Sequence, residues 1–285
     1  MSAGAGSLAT SRPLRPGGTG RARAVRRSAG DYLPPIAVFV LAVVVFEYVL
    51  GALGIRSFLI PKPSQIIGAL QDNWSSGRFS LFPAAIATLQ EALLGLLIGT
   101  AAGVLVAFAT ARWASARSFL LPVAVAANAV PIIAFAPLLN NWFGLLNPVS
   151  KALMAAVLVF FPVMANVTRG LVQVEPAALE LMRSYAASEW TIVRKVRVPN
   201  ALPYFFTALK VVTTFSLIGA IVAEYFGGSN TSLGRRIVES ASAFKYEITW
   251  GAIALAAVTG IVFYLVVVAI ERLVIPWAAA LRGDS

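Results

Sequence analysis

EPAALELMRSYAASEWTIVRKVRVPNALP, from Glu175 to Pro203, is the longest polar interruption in a chain that is otherwise a succession of apolar runs. It carries Arg183, Arg194, Lys195 and Arg197, yet it does not read as a solvated loop. Pro176 opens a run of good helix formers that extends to Tyr185, and a first helical turn tolerates proline. Ser188 is placed to cap a second helix in which Trp190, Val193 and Val196 recur at three-residue spacing beside Ile192, with Pro199 expected to stop it. Two short helices meeting at a tight corner predict a compact knob, held by something outside the apolar spans that flank it.

Composition sets the surroundings of that knob. Apolar residues make up 59% of the 285 and charged residues 12%, which is the balance of a polytopic membrane protein. The length accommodates about six spans of roughly 20 residues each, so the expected fold class is an all-α membrane protein. A formal charge of +11 could point to nucleic acid, but the basic residues stand between hydrophobic runs rather than on a soluble face, and no nucleic-acid partner is expected. Cysteine and histidine are both absent, which excludes disulfides, thiolate catalysis and the usual zinc sites, so no metal is expected. There is no nucleophile beside a base and no carboxylate pair to read from the sequence, hence no catalytic residue and no enzyme.

The knob resembles the cytoplasmic loop of bacterial ABC importer permeases, whose pattern is E-A-A, three residues, G, nine residues, then I-x-L-P. This chain has Glu180-Leu181-Met182, Ala186, and Val196-Arg197-Val198-Pro199 at that spacing. Two alanines have become Leu181 and Met182, and the glycine has become Ala186. A corner that needed left-handed backbone would penalise alanine by on the order of 1 kcal/mol or more. The expectation is therefore a merely small residue at a close contact. Further matches, in order, are Ile60-Pro61-Lys62-Pro63-Ser64, Ala129-Val130-Pro131 with Ala136-Pro137-Leu138, Trp142-Phe143-Gly144, Phe160-Phe161-Pro162, Ala223-Glu224, Ser232-Leu233-Gly234 and Glu271-Arg272. Together they extend the likeness from Leu33 to Trp277, and it is to permeases of the nitrate, sulfonate and taurine type.

Taken in order, residues 1–30 hold six arginines and no acid and read as a disordered basic cytoplasmic tail. Arg26-Arg27 is not a twin-arginine export signal, because the apolar run after it is long, contains Glu47 and is followed by further spans. Residues 31–285 form the transmembrane domain, with the loop at about 170–203. Expected spans are Leu33 to Leu53, Ala84 to Ala109, Phe119 to Leu139, Val149 to Val167, Tyr204 to Ala223 and Trp250 to Ile270. Between the first two, Pro61 to Ser80 is an amphipathic stretch at the outer interface. Gly95, Gly99 and Gly103 form a small-residue stripe for close helix packing. Pro122, Asn128, Pro131 and Pro137 break the third span, which therefore faces protein or a water-filled cavity. Sixteen of the 23 Lys and Arg residues fall on inner segments and seven, Lys151 among them, on outer ones, which places both termini and the knob in the cytoplasm.

No G-x-x-x-x-G-K-[ST] phosphate loop occurs. The resemblance thus implies that this chain holds no cofactor, and that ATP and Mg belong to separate cytoplasmic ABC ATPase subunits that receive the knob. In that role Glu180 is a polar contact, Ala186 the close corner, Val196 and Val198 the apolar anchors, and Pro199 the return to span five. The resemblance also implies a permease homodimer in the bacterial inner membrane and a soluble or lipid-anchored substrate-binding protein. The solute would be a sulfonate, taurine or nitrate-like anion, a thiamine-pyrimidine precursor or a riboflavin-like compound. Glu224, at the end of an apolar span, is a gate or structural hydrogen-bond residue or else a substrate contact. Asn128 and the Asn140-Asn141 pair either line the path or cap freed carbonyls, and Pro131, on the same broken span as Asn128, is a candidate residue of the path or gate. Glu47 is interfacial or paired, and Glu91 offers less. The rival class is a self-sufficient channel or secondary transporter using Glu224 as its ion or proton site, and a third is a membrane scaffold without transport.

Overall fold

Among the described residues every regular element is helical. The computed structural model describes residues 29–54, 60–113, 132–229 and 231–277, with isolated positions between 114 and 131. In chain order, α1 is Ala29–Ala52, α2 Pro63–Asp72 and α3 Leu81–Arg112; a 3-10 turn at Ile132–Ala134 leads into α4, Phe135–Phe143. Then come α5 Pro148–Val172, α6 Pro176–Ser184, α7 Glu189–Ile192, α8 Val198–Gly227, α9 Leu233–Ser242 and α10 Tyr246–Val274.

Five stretches are long and apolar enough to cross a membrane: Pro34–Ala52, Leu81–Arg112, Pro148–Val172, Glu189–Gly227 and Tyr246–Val274. They stand where spans one, two, four, five and six are expected, and α3, α5, α8 and α10 overrun those expectations by several residues. Most of the third expected span lies outside the described residues, as do Asn128, Pro131 and the arginine tail.

The core is a slab in which α3, α5 and α8 pack side by side. In lipid the helices gain nothing by hiding apolar surface from water, so association rests on close van der Waals contact and small residues. The glycine stripe supplies this. A Cβ on Gly95 would come within 2.4 Å of Ala155 Cβ, and one on Gly99 within 2.5 Å of the Ala156 carbonyl oxygen. From the other side Gly219 of α8 closes on α5, where an added Cβ would lie 2.7 Å from Ala155 Cα. Alanine 155 is thus gripped between two glycines of different helices. A second cluster joins α10 to α2, α3 and α9 through Leu81, Leu233, Ile248 and Ala252. Helix α1 is apolar all round, with Phe39, Leu41 and Tyr48 exposed. It touches α2 through Glu47, whose carboxylate accepts the Ser64 N–H at 3.0 Å and the Ser64 hydroxyl at 2.7 Å.

One expected helix end is corrected. Pro199 does not stop a helix: Val193–Arg197 widen into a π turn, with the Val198 N–H donating to the Val193 carbonyl, and the chain runs on into α8. Proline removes one donor and crowds the carbonyl four residues earlier, here that of Lys195; the wider turn relieves both. Glu189–Gly227 is consequently one rod of 39 residues, roughly 60 Å long at 1.5 Å per residue. The connection between the fifth and sixth expected spans, Ala223 to Trp250, is more than a link: it contains α9, an amphipathic helix that buries Leu233, Gly234, Arg236 and Ser240.

Candidate coupling knob and far-end gate

The knob is built from the C-terminus of α6. Its last turn leaves orphan carbonyls, and two of them are satisfied by chain that folds back: the Ala186 N–H donates to the Arg183 carbonyl at 2.9 Å and the Ala187 N–H to the Met182 carbonyl at 3.0 Å. This pair of bonds requires a left-handed residue between the cap and the next residue. That residue is Ala186, at φ +50°, and it is exposed. The expectation of a merely small residue at a close contact is therefore wrong. The corner is conformational, glycine suits it better, and alanine holds it under strain of about 1 kcal/mol. We expect Ala186→Gly to stabilise the knob by about 0.5–1 kcal/mol after the added unfolded-state entropy is subtracted. Amide exchange across 185–188 should slow by about threefold, and unchanged or faster exchange would contradict the strain.

Ser188 caps α7 as expected, its hydroxyl accepting the Thr191 N–H at 3.3 Å. Ile192 is buried, Val196 and Val198 are half-buried, and Asn200 ties the rod to the end of α5 by donating to the carbonyls of Gly170 at 2.7 Å and Gln173 at 3.0 Å. The outward side is different. Glu180 is exposed beside Leu181, Tyr185 and Trp190, which are 56%, 76% and 72% exposed. Exposed large apolar side chains of this kind are what a docking surface would present. Against the end of α3 the knob leaves a cavity of about 860 Å³, within the size range of ligand clefts, bordered by Arg112, Trp113, Trp190 and Arg197.

Glu224 lies at the opposite end of the same rod, some 26 residues beyond Val198 and so about 40 Å from it. Its carboxylate is fully buried and accepts the Gly234 N–H of α9 at 2.7 Å. A Cβ on Gly234 would fall 2.7 Å from Glu224 Cβ and 2.5 Å from the Ile221 carbonyl oxygen, so only glycine lets α9 approach this closely. Thr88 of α3 joins the site, hydrogen bonding to Glu224 and accepting the Leu233 N–H at 3.0 Å. Asn140 of α4 donates to the Ala223 carbonyl at 3.2 Å, which is the capping alternative for that residue, while Asn141 is exposed.

Two residues of this site escaped sequence reading. Glu91 of α3 is buried against Glu224, so the carboxylate pair that the sequence did not display exists in space. Lys151, expected on an outer segment, is 0% exposed inside the far end of α5. The available signal was an acid in each of two apolar spans and a lysine three residues into a third, since ionisable groups within spans pair or line a cavity. The structure thus separates the expected site residues into a knob set (Glu180, Ala186, Val196, Val198 and Pro199) and a far-end set around Glu224, joined by one helix.

A family model described as the binding-protein-dependent transport system inner membrane component matches residues 95–279, more than half of the chain. Among curated relatives, the riboflavin transport system permease protein of Chloroflexus aurantiacus is 27% identical over 260 residues, covering 91% of this chain and 96% of that protein. The formylaminopyrimidine transport permease protein of Halalkalibacterium halodurans is 27% identical over 86% of this chain and 96% of its own length. The putative aliphatic sulfonates transport permease protein of Bacillus subtilis is 28% identical over 82% and 84%.

Proposed function

The chain belongs to the family of binding-protein-dependent transport system inner membrane components, and from that premise we propose that it forms the translocation path of an ATP-driven importer and is driven through its knob by a separate ABC ATPase. Both termini and the knob face the cytoplasm, and two copies of the chain pair on two ATPase subunits. ATP and Mg stay on those subunits. A binding protein delivers the solute at the far end. The solute is a small polar molecule, a nitrogen heterocycle of the riboflavin or formylpyrimidine kind or a sulfonate such as taurine, and the binding protein selects it.

The observation that carries this reading is the unbroken rod from Glu189 to Gly227. It bears the exposed apolar knob at one end and the buried gate carboxylate at the other. A helix has few ways to absorb an axial push, so displacement at the knob reaches Glu224 as displacement rather than as local disorder. Lys210 stiffens the middle of the path, its ammonium 2.9 Å from the Glu271 carboxylate of α10, so the last span moves with the rod. The test is a pull-down of the tagged chain from its host in mild detergent with mass spectrometry of the eluate. We expect an ATPase bearing a phosphate loop. A chain that comes down with no such protein, and whose flux follows an ion gradient, would overturn the proposal in favour of a secondary transporter.

A further inference from the structure

We propose that the cavity between the end of α3 and the knob is a binding site for an anionic phospholipid, whose phosphate sits between Arg112 and Arg197 and whose acyl chain lies in the apolar groove that continues from it between α3 and α8. This goes beyond the transport reading and needs only that the long helices span a bilayer.

Arg112 is the last residue of the apolar span formed by α3, and Arg197 stands in the π turn through which the rod passes into its own apolar length. Both border the cavity of about 860 Å³, with Trp113 and Trp190 beside them. Tryptophan is enriched where a membrane meets water, and its place here matches the end of a span. Glu189 is the acid on the wall among the described residues, so the cations outnumber it. The Arg197 Nε is buried and has no hydrogen-bond acceptor among the described residues. A buried N–H left without an acceptor is costly. A phosphate oxygen supplies one, in the fork geometry that suits a guanidinium.

A free anion would satisfy the arginines alone. What lies next to them fits a lipid. Leu105, Phe108 and Leu171 border this cavity and also a second one of about 520 Å³, so the two form one continuous groove. The second is walled by α3 and by Leu202 and Phe205 of α8, with no charged side chain on it among the described residues. It reaches Ala101, eleven residues before Arg112. That is roughly 17 Å along α3 at 1.5 Å per residue, close to half of a hydrocarbon core about 30 Å thick. The groove is therefore one leaflet deep. Ala101 and Leu105 are exposed, so it opens sideways toward the bilayer. A soluble metabolite would gain nothing from such a wall, and an ATPase cannot enter it. Basic pockets between spans recognise anionic headgroups, and a phosphate held here joins the end of α3 to the turn where knob and span meet.

The test is native mass spectrometry of the delipidated full chain in mild detergent, titrated with phosphatidylglycerol or with phosphatidylcholine of the same acyl chains. The first phosphatidylglycerol should bind about tenfold tighter. Arg112→Gln and Arg197→Gln should each weaken it about fivefold and leave phosphatidylcholine within about twofold of the parent. Arg112 is exposed at a helix end, so that variant reads the site even where Arg197→Gln does not fold. Arg194→Gln removes the same charge from an exposed position off the cavity wall and should change neither lipid. Ala101→Phe fills the groove from an exposed position without altering charge, and should weaken phosphatidylglycerol by about tenfold. Excess inorganic phosphate should not displace the lipid. Equal binding of the two lipids, a loss in Arg194→Gln as large as in Arg112→Gln, parent-like binding in Ala101→Phe, or displacement by inorganic phosphate would overturn the proposal. So would an absent lipid preference combined with loss of the ATPase in Arg112→Gln, which would assign the cavity to that partner. A failed ATPase pull-down of the parent chain would sink the importer reading and leave the lipid result standing.

Discussion

Gly99→Leu leaves little or no folded protein in the membrane fraction, with a loss of more than about tenfold in the monodisperse peak on size exclusion. Intrinsic helix propensity pushes the other way, since leucine is better than glycine in a helix interior by about 0.8 kcal/mol. Packing decides the sign. The first added carbon alone would stand 2.5 Å from the Ala156 carbonyl oxygen and 2.7 Å from Val159 Cβ. A carbonyl cannot rotate aside, and Ala155, one residue away, is already pinned by Gly219 on the opposite face of α5. The helices must separate, which removes the contacts that lipid cannot replace, at a cost of about 3 kcal/mol or more. Gly68→Ala is the control. Its Cβ enters open space on α2, so only the propensity gain remains and the peak should hold or rise. A Gly99→Leu peak equal to the parent's would show that α3 and α5 do not meet along this stripe.

The glycine stripe was legible because its signal is periodic and local: three glycines at intervals of four residues state both the helix and its close face. The knob was legible for similar reasons, with a proline, a serine cap and apolar spacing in one continuous stretch. Ala186 shows where that kind of reading stops. Glycine in the family pattern admits two explanations, small size or positive φ, and the sequence contains nothing to separate them. The backbone does, at φ +50°. Phe244 repeats the lesson at the end of α9, also left-handed at φ +56° and closing the same type of helix end, although no composition rule would put a phenylalanine there. Pro199 misled for the opposite reason: its local rule is sound, but a wider turn five residues long absorbs the defect without ending the helix. Glu91 and Lys151 lie 60 residues apart and approach Glu224 only when three helices assemble. Alone, Glu91 said little and Lys151 counted only as one of the basic residues on outer segments. Their meaning is tertiary, and what the sequence offered was only the cost of leaving them unpaired.

Ala186→Arg abolishes association with the ATPase while the chain still reaches the membrane and runs as a monodisperse peak within about twofold of the parent. The two halves of that expectation come from separate parts of the geometry. The corner is held by backbone bonds from Ala186 and Ala187 to the end of α6, and these do not depend on what side chain residue 186 carries. Its left-handed backbone already bears a β-carbon, so lengthening the side chain adds little strain to what alanine costs. The side chain points from an exposed position, where a long cation meets no core. The lesion is thus confined to the surface that Glu180, Leu181 and Tyr185 present. There a mobile positive charge disrupts an apolar contact that a partner must dehydrate, and losses of about 2 kcal/mol or more, some thirtyfold in affinity, are ordinary for a central interface position. Ala186→Gly separates shape from charge: it relaxes the corner, leaves the surface unblocked and should retain the ATPase. If Ala186→Arg binds the ATPase as the parent does, the knob docks by another face or not at all, and the rod from Glu189 to Gly227 loses its drive. If both variants lose it, the partner reads the strained corner itself, and the alanine in place of glycine is part of the recognition.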